Sequence, residues 1–236
     1  MKVAVFDFDG TLTPDEAPVF EILEKSGLSG GVTNSEFRRQ VKELIAQEKI
    51  EFYEAFIKTI LRIVSNAGFE LTDGNIGLGA KDRIYNPGVM EFLRALKNSG
   101  VKSYILSSGA KAYLEQTEVA PLFAEIYAST LTYDVDGKVN GIEIVMTPER
   151  KTETLRKLAR ELNGDEEDCQ GMIYFGDGPT DADAMKFVKE HGGETVLVYN
   201  ENPVKEAAEM AEDGLVDLFT VADYSEGSKI YKYILS

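Results

Sequence analysis

Residues 3–13 read Val-Ala-Val-Phe-Asp-Phe-Asp-Gly-Thr-Leu-Thr, a short apolar run that stops at two acidic residues and a glycine. This pattern predicts a buried strand that ends in a tight turn. Residues 172–181 repeat it, because Met-Ile-Tyr-Phe runs into Gly-Asp-Gly-Pro-Thr-Asp. Parallel strands present their carboxyl ends at one edge of a sheet, where ligands bind in such folds. We therefore expect the two acidic turns to lie at the same edge.

Alternation of strand and helix patterns from residue 86 onward predicts the main fold. Strands are expected at 102–106, near 125–129, and at 172–175, 195–199 and 216–221, with helices between them. Residues 131–146 alternate around an Asp-Gly pair, which predicts a β-hairpin. Repeated strand–helix units favour an α/β fold with a doubly wound, Rossmann-like parallel sheet at its core.

Residues 14–85 interrupt this alternation with a different pattern. Apolar residues recur there at helical spacing, as in Phe37, Val41, Leu44 and Ile45. A further helix is expected around residues 19–23 and another over 52–64. The pattern predicts two domains, a core formed by residues 1–13 and 86–236 and a small all-helical domain formed by residues 14–85.

Composition excludes several classes of protein. The 236 residues include 25 basic and 41 acidic side chains, for a net charge of −16, which argues against nucleic-acid and anionic-membrane partners. Cys169 is the only cysteine, so an internal disulfide is excluded, and His191 is the only histidine, so a multi-histidine zinc site is excluded. The apolar start is too short for a signal peptide, and no apolar run is long enough for a membrane span. We expect a soluble cytoplasmic protein.

Four carboxylates follow the two strands described first: Asp7, Asp9, Asp177 and Asp181. Like charges at one site are unfavourable unless a cation offsets them, and hard oxygen ligands favour Mg²⁺. Either acidic cluster alone has an ordinary alternative, since acids are common in loops and Asp181 could simply cap a helix. The occurrence of both clusters at strand ends favours a metal site.

Two further features predict an anion site. Ser107-Ser108-Gly109 follows a strand and precedes an expected helix, where hydroxyl and N–H groups bind anions, although an N-cap serine is commonplace. Lys151 lies at the start of another helix, where its charge opposes the helix dipole. A functional role and an ordinary solvated lysine both remain open for this residue.

The stretch Asp7–Thr13, Ser107, Lys151 and the stretch Gly176–Asp181, in that order, resemble the four motifs of the haloacid dehalogenase superfamily. The helical insertion directly after the first motif is similar to the first cap class of that superfamily, as in the phosphoserine phosphatases. The resemblance implies a hydrolase whose helical cap domain moves over the active site. It further implies a magnesium-dependent phosphatase that forms an aspartyl-phosphate.

The same resemblance assigns roles to individual residues. Asp7 would be the nucleophile and Asp9 the general acid and base, a residue that phosphatases and phosphomutases of this superfamily share. Ser107, the Ser108 amide and Lys151 would hold the phosphoryl oxygens. The implied magnesium site consists of the Asp7 carboxylate, the Asp9 backbone carbonyl, Asp177 and Asp181.

The substrate is expected to be a small phosphorylated metabolite. Phosphoserine is one candidate, because Glu16 stands where phosphoserine phosphatases have a glutamate that binds the substrate ammonium. Thr59, however, stands where those enzymes have an arginine for the carboxylate, and Arg62 lies about one turn further on. Two alternatives remain open, a phosphotransferase or phosphomutase of the same fold and a non-hydrolytic protein that binds a phosphorylated ligand.

Overall fold

The computed structural model describes residues 3–14, 32–201 and 205–235. Strand β1 (Val3–Phe6) lies in the middle of a seven-stranded sheet of order β4-β3-β2-β1-β5-β6-β7. The pairings are parallel except that β3 and β4 form an antiparallel hairpin. This sheet confirms the predicted α/β fold. The other strands are β2 (Lys102–Ala110), β3 (Glu125–Tyr133), β4 (Val139–Ile144), β5 (Met172–Gly176), β6 (Glu194–Tyr199) and β7 (Leu218–Val221).

Helices within the described residues cover both faces of the sheet and form a separate pair before it. They are α1 (Asn34–Glu48), α2 (Phe52–Asn66), α3 (Val89–Asn98), α4 (Lys111–Leu114), α5 (Pro148–Asn163), α6 (Ala182–Glu190), α7 (Lys205–Glu212) and α8 (Lys229–Leu235). Single 3₁₀ turns occupy Ala80–Asp82, Ala120–Leu122 and Pro179–Asp181.

Strand β1 is apolar throughout because both of its faces are covered. Ala4 and Phe6 face a core that includes side chains of α3, α4 and α8. Val3 and Val5 face a second core that includes side chains of α5, α6 and α7. This double coverage fixes β1, and with it the turn that follows, in the centre of the molecule.

The end of β2 differs from its prediction. The strand was expected to end at residue 106, but it continues to Ala110, which pairs with Ser129 of β3. The helix expected from about residue 110 is present, because α4 begins at Lys111, but it is a single turn. The register shifts between Leu106 and Ala110, so residues 107–109 form an irregular strand end. Pairing with β3 therefore extends the strand, and the helix that follows the serines is too short to supply a useful dipole.

Helices α1 and α2 pack together through a third apolar core. This core includes Phe37 and Leu44 of α1, Ile57 and Ile63 of α2, and Leu131 of the hairpin. The proposed domain boundaries at residues 14 and 85 remain a prediction, and the helix expected around residues 19–23 lies outside the described residues. Within the described parts of the chain, no helix has the length and apolar character needed to cross a membrane.

Candidate active site

Three strand ends meet at the centre of the sheet. Phe6 of β1 is in register with Ile105 of β2 and with Phe175 of β5, so the residues after them share one edge. The Asp7 N–H donates to the Phe175 carbonyl over 2.9 Å, which continues the pairing one residue beyond β1. The predicted convergence of the two acidic turns is confirmed by this register.

Three of the four predicted acids form one cluster. Carboxylate oxygens of Asp7, Asp177 and Asp181 all lie within 4.8 Å of one another. Asp181 is fully buried and makes no side-chain hydrogen bond that caps α6. Its Oδ2 instead accepts a hydrogen bond from the Asp177 N–H at 3.2 Å. Because these oxygen atoms are hard ligands at close spacing, the cluster has the chemistry to hold a divalent cation.

Lys151 lies inside this cluster. It belongs to the first turn of α5, whose N-cap Thr147 accepts a hydrogen bond from the Arg150 N–H. Lys151 Nζ donates to Asp7 Oδ1 and to Asp181 Oδ1, each at 2.8 Å, and only 2% of its side chain is exposed. Lys151 is therefore a buried partner of the acids and not a solvated lysine.

Tyr174 is a member of the site that sequence reasoning missed. It reads as an ordinary core residue of β5, yet its hydroxyl donates to Asp181 Oδ1 at 2.7 Å. Burial raises the pKa of Tyr174 well above its usual value, and the negative charge of Asp181 raises it further. Tyr174 thus stays protonated and helps Lys151 to hold Asp181 in place.

The electrostatics of the cluster favour added positive charge. Burial raises the pKa of Asp7 well above its usual range; Lys151 opposes this effect, and the charges of Asp181 and Asp177 add to it. Burial and then the Asp181 charge raise the pKa of Asp177 to about 7. Burial lowers the pKa of Lys151, but Asp181 and Asp7 outweigh it, so the pKa is raised overall. A divalent cation would stabilise the ionised carboxylates, so the residues fit a metal site.

Asp9 lies outside that cluster and has a cationic partner of its own. Arg83 Nη2 donates to Asp9 Oδ1 at 3.0 Å and to Thr13 Oγ1 at 3.2 Å. The Arg83 side chain is almost completely buried, whereas 26% of the Asp9 side chain is exposed. Arg83 therefore fixes an accessible carboxylate, and nothing in the local sequence around residue 83 indicates this.

Side chains from distant segments hold the turn after β1. Gly10 has a φ of +80°, and a Cβ at this position would overlap the carboxylate of Asp177. The Gly10 carbonyl accepts from Asn200 Nδ2 at 3.0 Å, and the Thr11 carbonyl accepts from Asn86 Nδ2 at 2.8 Å. These contacts explain why a glycine follows the two acids, because only it allows the turn to approach Asp177 so closely.

The two predicted phosphate-binding serines point in different directions. Ser107 is buried, and its Oγ accepts from the Gly109 N–H at 3.0 Å. A Cβ on Gly109 would lie 3.3 Å from Ser107 Oγ and 3.7 Å from Asp9 Oδ2, so these two side chains share one region. The Ser108 hydroxyl instead donates to the Met146 carbonyl at 2.9 Å. The Ser108 side chain therefore serves the local structure.

Of the two residues predicted for substrate specificity, Glu16 lies outside the described residues and Arg62 lies within them. Thr59 is buried, and its hydroxyl donates to the Ala55 carbonyl at 2.7 Å. Arg62 is half exposed and pairs with Glu48 at 3.3 Å, so the structure places its guanidinium at the end of α1.

Comparisons with known proteins match this chain to one family and to a relative along nearly its whole length. The family described as haloacid dehalogenase-like hydrolase matches residues 4–186. An uncharacterized protein of Borreliella burgdorferi is 24% identical over 279 residues, covering 98% of this chain and 94% of that protein.

Two solved structures share the fold along nearly the whole chain. A phosphoserine phosphatase in its apo form is 21% identical with a TM-score of 0.67, covering 99% of this chain and 98% of its own. A phosphoserine phosphohydrolase-like protein from Francisella tularensis is also 21% identical with a TM-score of 0.67, and the match covers 100% of both chains. At this identity the likeness establishes the fold and leaves the substrate open.

Proposed function

Because this chain belongs to the haloacid dehalogenase-like hydrolase family, we propose that it is a magnesium-dependent phosphatase acting on a small phosphomonoester. The observation that carries this proposal is the contact of buried Lys151 with both Asp7 and Asp181, beside Asp177, at the central strand ends. An ion pair at the core of a fold is costly to bury, so a catalytic use explains its presence better than a gain in stability.

The first proposed step is transfer of the phosphoryl group to Asp7. A carboxylate oxygen of Asp7 attacks phosphorus while the bond between phosphorus and the alcohol oxygen breaks. Asp9 donates its proton to the departing oxygen, which leaves as a neutral alcohol. Lys151 keeps the Asp7 carboxylate oriented through the 2.8 Å contact to Oδ1.

The second proposed step releases phosphate. Asp9, now a carboxylate, accepts a proton from a water molecule whose oxygen attacks phosphorus, and the bond between phosphorus and Asp7 breaks. The products are inorganic phosphate, free Asp7 and a protonated Asp9 ready for the next cycle. Arg83 supports this exchange because it holds Asp9 Oδ1 at 3.0 Å.

Asp7, Asp177 and the Asp9 carbonyl would hold Mg²⁺, with Asp181 supporting the site through its contacts to Lys151 and Asp177. When bound, the ion would neutralise phosphate charge so that an anionic carboxylate can approach phosphorus. Ser107 would donate to a phosphoryl oxygen from its buried position near Asp9, together with the backbone amide of Ser108.

Phosphate release from p-nitrophenyl phosphate tests the proposal. We expect turnover with Mg²⁺, none with EDTA, and none in Asp7→Asn. Asp183→Asn is a matched control, since this exposed aspartate lies in the first turn of α6 and should keep full activity. Activity of Asp7→Asn equal to that of Asp183→Asn would contradict the proposed nucleophile.

The same assay separates the two alternative functions. A phosphotransferase or phosphomutase would pass the phosphoryl group to an added alcohol or sugar in preference to water. A non-hydrolytic binding protein would bind phosphate esters without turning them over. Phosphoserine as the substrate has little support from the described residues, because Thr59 uses its hydroxyl within α2 and Arg62 is paired with Glu48.

A further inference from the structure

Tyr174 is the middle residue of β5, and its ring belongs to the apolar core that also receives Val3 and Val5. The residue is fully buried. Burial of a hydroxyl is unfavourable unless the hydroxyl is hydrogen-bonded, so phenylalanine would suit a purely apolar position better. The tyrosine is therefore explained by the partner of its hydroxyl, Asp181 Oδ1, at 2.7 Å.

The carboxylate of Asp181 is held by three donors. Lys151 Nζ donates to Oδ1 beside the Tyr174 hydroxyl, and the Asp177 N–H donates to Oδ2. The carboxylate also lies against the backbone of β5, because a Cβ on Gly176 would overlap it. Both lone pairs of Oδ1 are thus used, one by Lys151 and one by Tyr174.

The position of the Lys151 ammonium depends on the two oxygens to which it donates. An ammonium has three N–H donors, and two of them go to Asp7 Oδ1 and Asp181 Oδ1, each at 2.8 Å. Among the described residues no third acceptor is bonded to this group, so one N–H stays available for a phosphoryl oxygen. A shift of the Asp181 carboxylate would therefore move the ammonium relative to Asp7.

We propose that Tyr174 is a positioning residue for the phosphatase reaction, acting through Asp181 on Lys151. This inference rests on the proposed function, because it takes Asp7 as the attacking group. The Tyr174 hydroxyl satisfies one lone pair of Asp181 Oδ1, so the ammonium of Lys151 is shared between Asp181 and Asp7. Tyr174 lies outside the stretches that carry the family resemblance, and its place in the reaction follows from these contacts alone.

The matched variants Tyr174→Phe and Tyr104→Phe test the inference in the magnesium-loaded full chain. Tyr104 of β2 and Tyr174 of β5 both pair with Val5 of β1 and belong to the same core. Among the described residues, the Tyr104 hydroxyl makes no hydrogen bond to the site. Each variant therefore removes one hydroxyl from the same core at the same register, and only Tyr174→Phe removes a contact to Asp181.

The buried Tyr174 hydroxyl does not reach the substrate, so its loss should affect alignment in the transition state and not substrate binding. With p-nitrophenyl phosphate we expect kcat to fall at least about tenfold in Tyr174→Phe, with KM within about twofold of the unmodified protein. In Tyr104→Phe both values should stay within about twofold. A merely structural role would lower the melting temperature without this separation of kcat from KM, and thermal unfolding verifies that both variants are folded at the assay temperature.

A double-mutant cycle tests whether the effect passes through Asp181. In a chain that already carries Asp181→Ala, Tyr174→Phe should change kcat by less than about twofold, because the hydroxyl has lost the group that it holds. An undiminished effect in that chain would overturn the inference, as would equal kcat values for Tyr174→Phe and Tyr104→Phe. Both of these results leave the phosphatase proposal intact, whereas absence of phosphate release from the unmodified protein would overturn both.

Discussion

Replacing Lys151 with methionine removes the ammonium group that the structure places between two buried carboxylates. Methionine keeps most of the length of the side chain, so the change tests charge more than packing. Lys151 Nζ lies 2.8 Å from Asp7 Oδ1 and from Asp181 Oδ1. Loss of one partner of a buried ion pair typically costs about 3–5 kcal/mol in the free energy of unfolding. At this chain length the melting temperature should fall by roughly 6–20 °C.

The size of this loss should depend on pH. Burial already raises the pKa of Asp7, and removal of Lys151 raises it further because Lys151 is the group that lowers it. A carboxyl group whose pKa is higher in the folded than in the unfolded protein destabilises the fold increasingly as pH rises from the unfolded to the folded pKa. The deficit of Lys151→Met relative to the unmodified protein should therefore be smaller at pH 5 and larger at pH 8.

Thermal unfolding in metal-free buffer at both pH values measures this effect. Lys186→Met is the control, because this exposed lysine makes only a 4.0 Å contact with Glu190. Its free energy of unfolding should change by no more than about 0.5 kcal/mol. Lys151→Met should also lose at least about a hundredfold in phosphatase turnover. Equal melting temperatures for the two variants at pH 8 would refute the reasoning.

Three other changes probe neighbouring parts of the site. Gly10→Ala should lower the free energy of unfolding in urea by about 1–2 kcal/mol, because the backbone φ at this position is +80°. It should also weaken Mg²⁺ binding measured by calorimetry, because the added Cβ displaces Asp177, and an unchanged affinity would contradict this. Arg83→Met should lower kcat for an alkyl phosphate by about tenfold or more and kcat for p-nitrophenyl phosphate by less. The alkyl alcohol is the poor leaving group and depends on a well-placed Asp9, so equal losses for the two substrates would indicate a merely structural role. The melting temperature of the metal-free protein should fall from pH 5 to pH 8, because Asp7 and Asp177 have raised pKa values and their ionisation disfavours folding. Mg²⁺ should reduce this dependence on pH, and a melting temperature that does not change with pH in EDTA would contradict the electrostatic account.

The fold and the central acids were predictable because their signals are local. Apolar runs at residues 3–6 and 172–175 indicate strands covered on both faces, and parallel strands end at a common edge. That rule predicts that Asp7, Asp177 and Asp181 lie together, and the structure places their carboxylate oxygens within 4.8 Å of one another.

Contacts that depend on long-range packing were not predictable. Arg83 and Asp9 are 74 positions apart, and no spacing rule relates them. Tyr174 belongs to an apolar strand, so only its direction in the fold shows that its hydroxyl reaches Asp181. The extension of β2 from residue 106 to Ala110 was not predictable, because it results from pairing with β3, a tertiary effect that local pattern does not report.

Covalent capture of the phosphoryl group on Asp7 tests the central claim most directly. The Asp9→Asn variant, which lacks the base for the second step, would be mixed with p-nitrophenyl phosphate and Mg²⁺, quenched in acid and mapped by peptide mass spectrometry. The account predicts the added mass of one phosphoryl group on the peptide that contains Asp7, and none when Asp7→Asn is introduced as well. Phosphate release without any phosphorylated Asp7, or phosphorylation of a different residue, would contradict it.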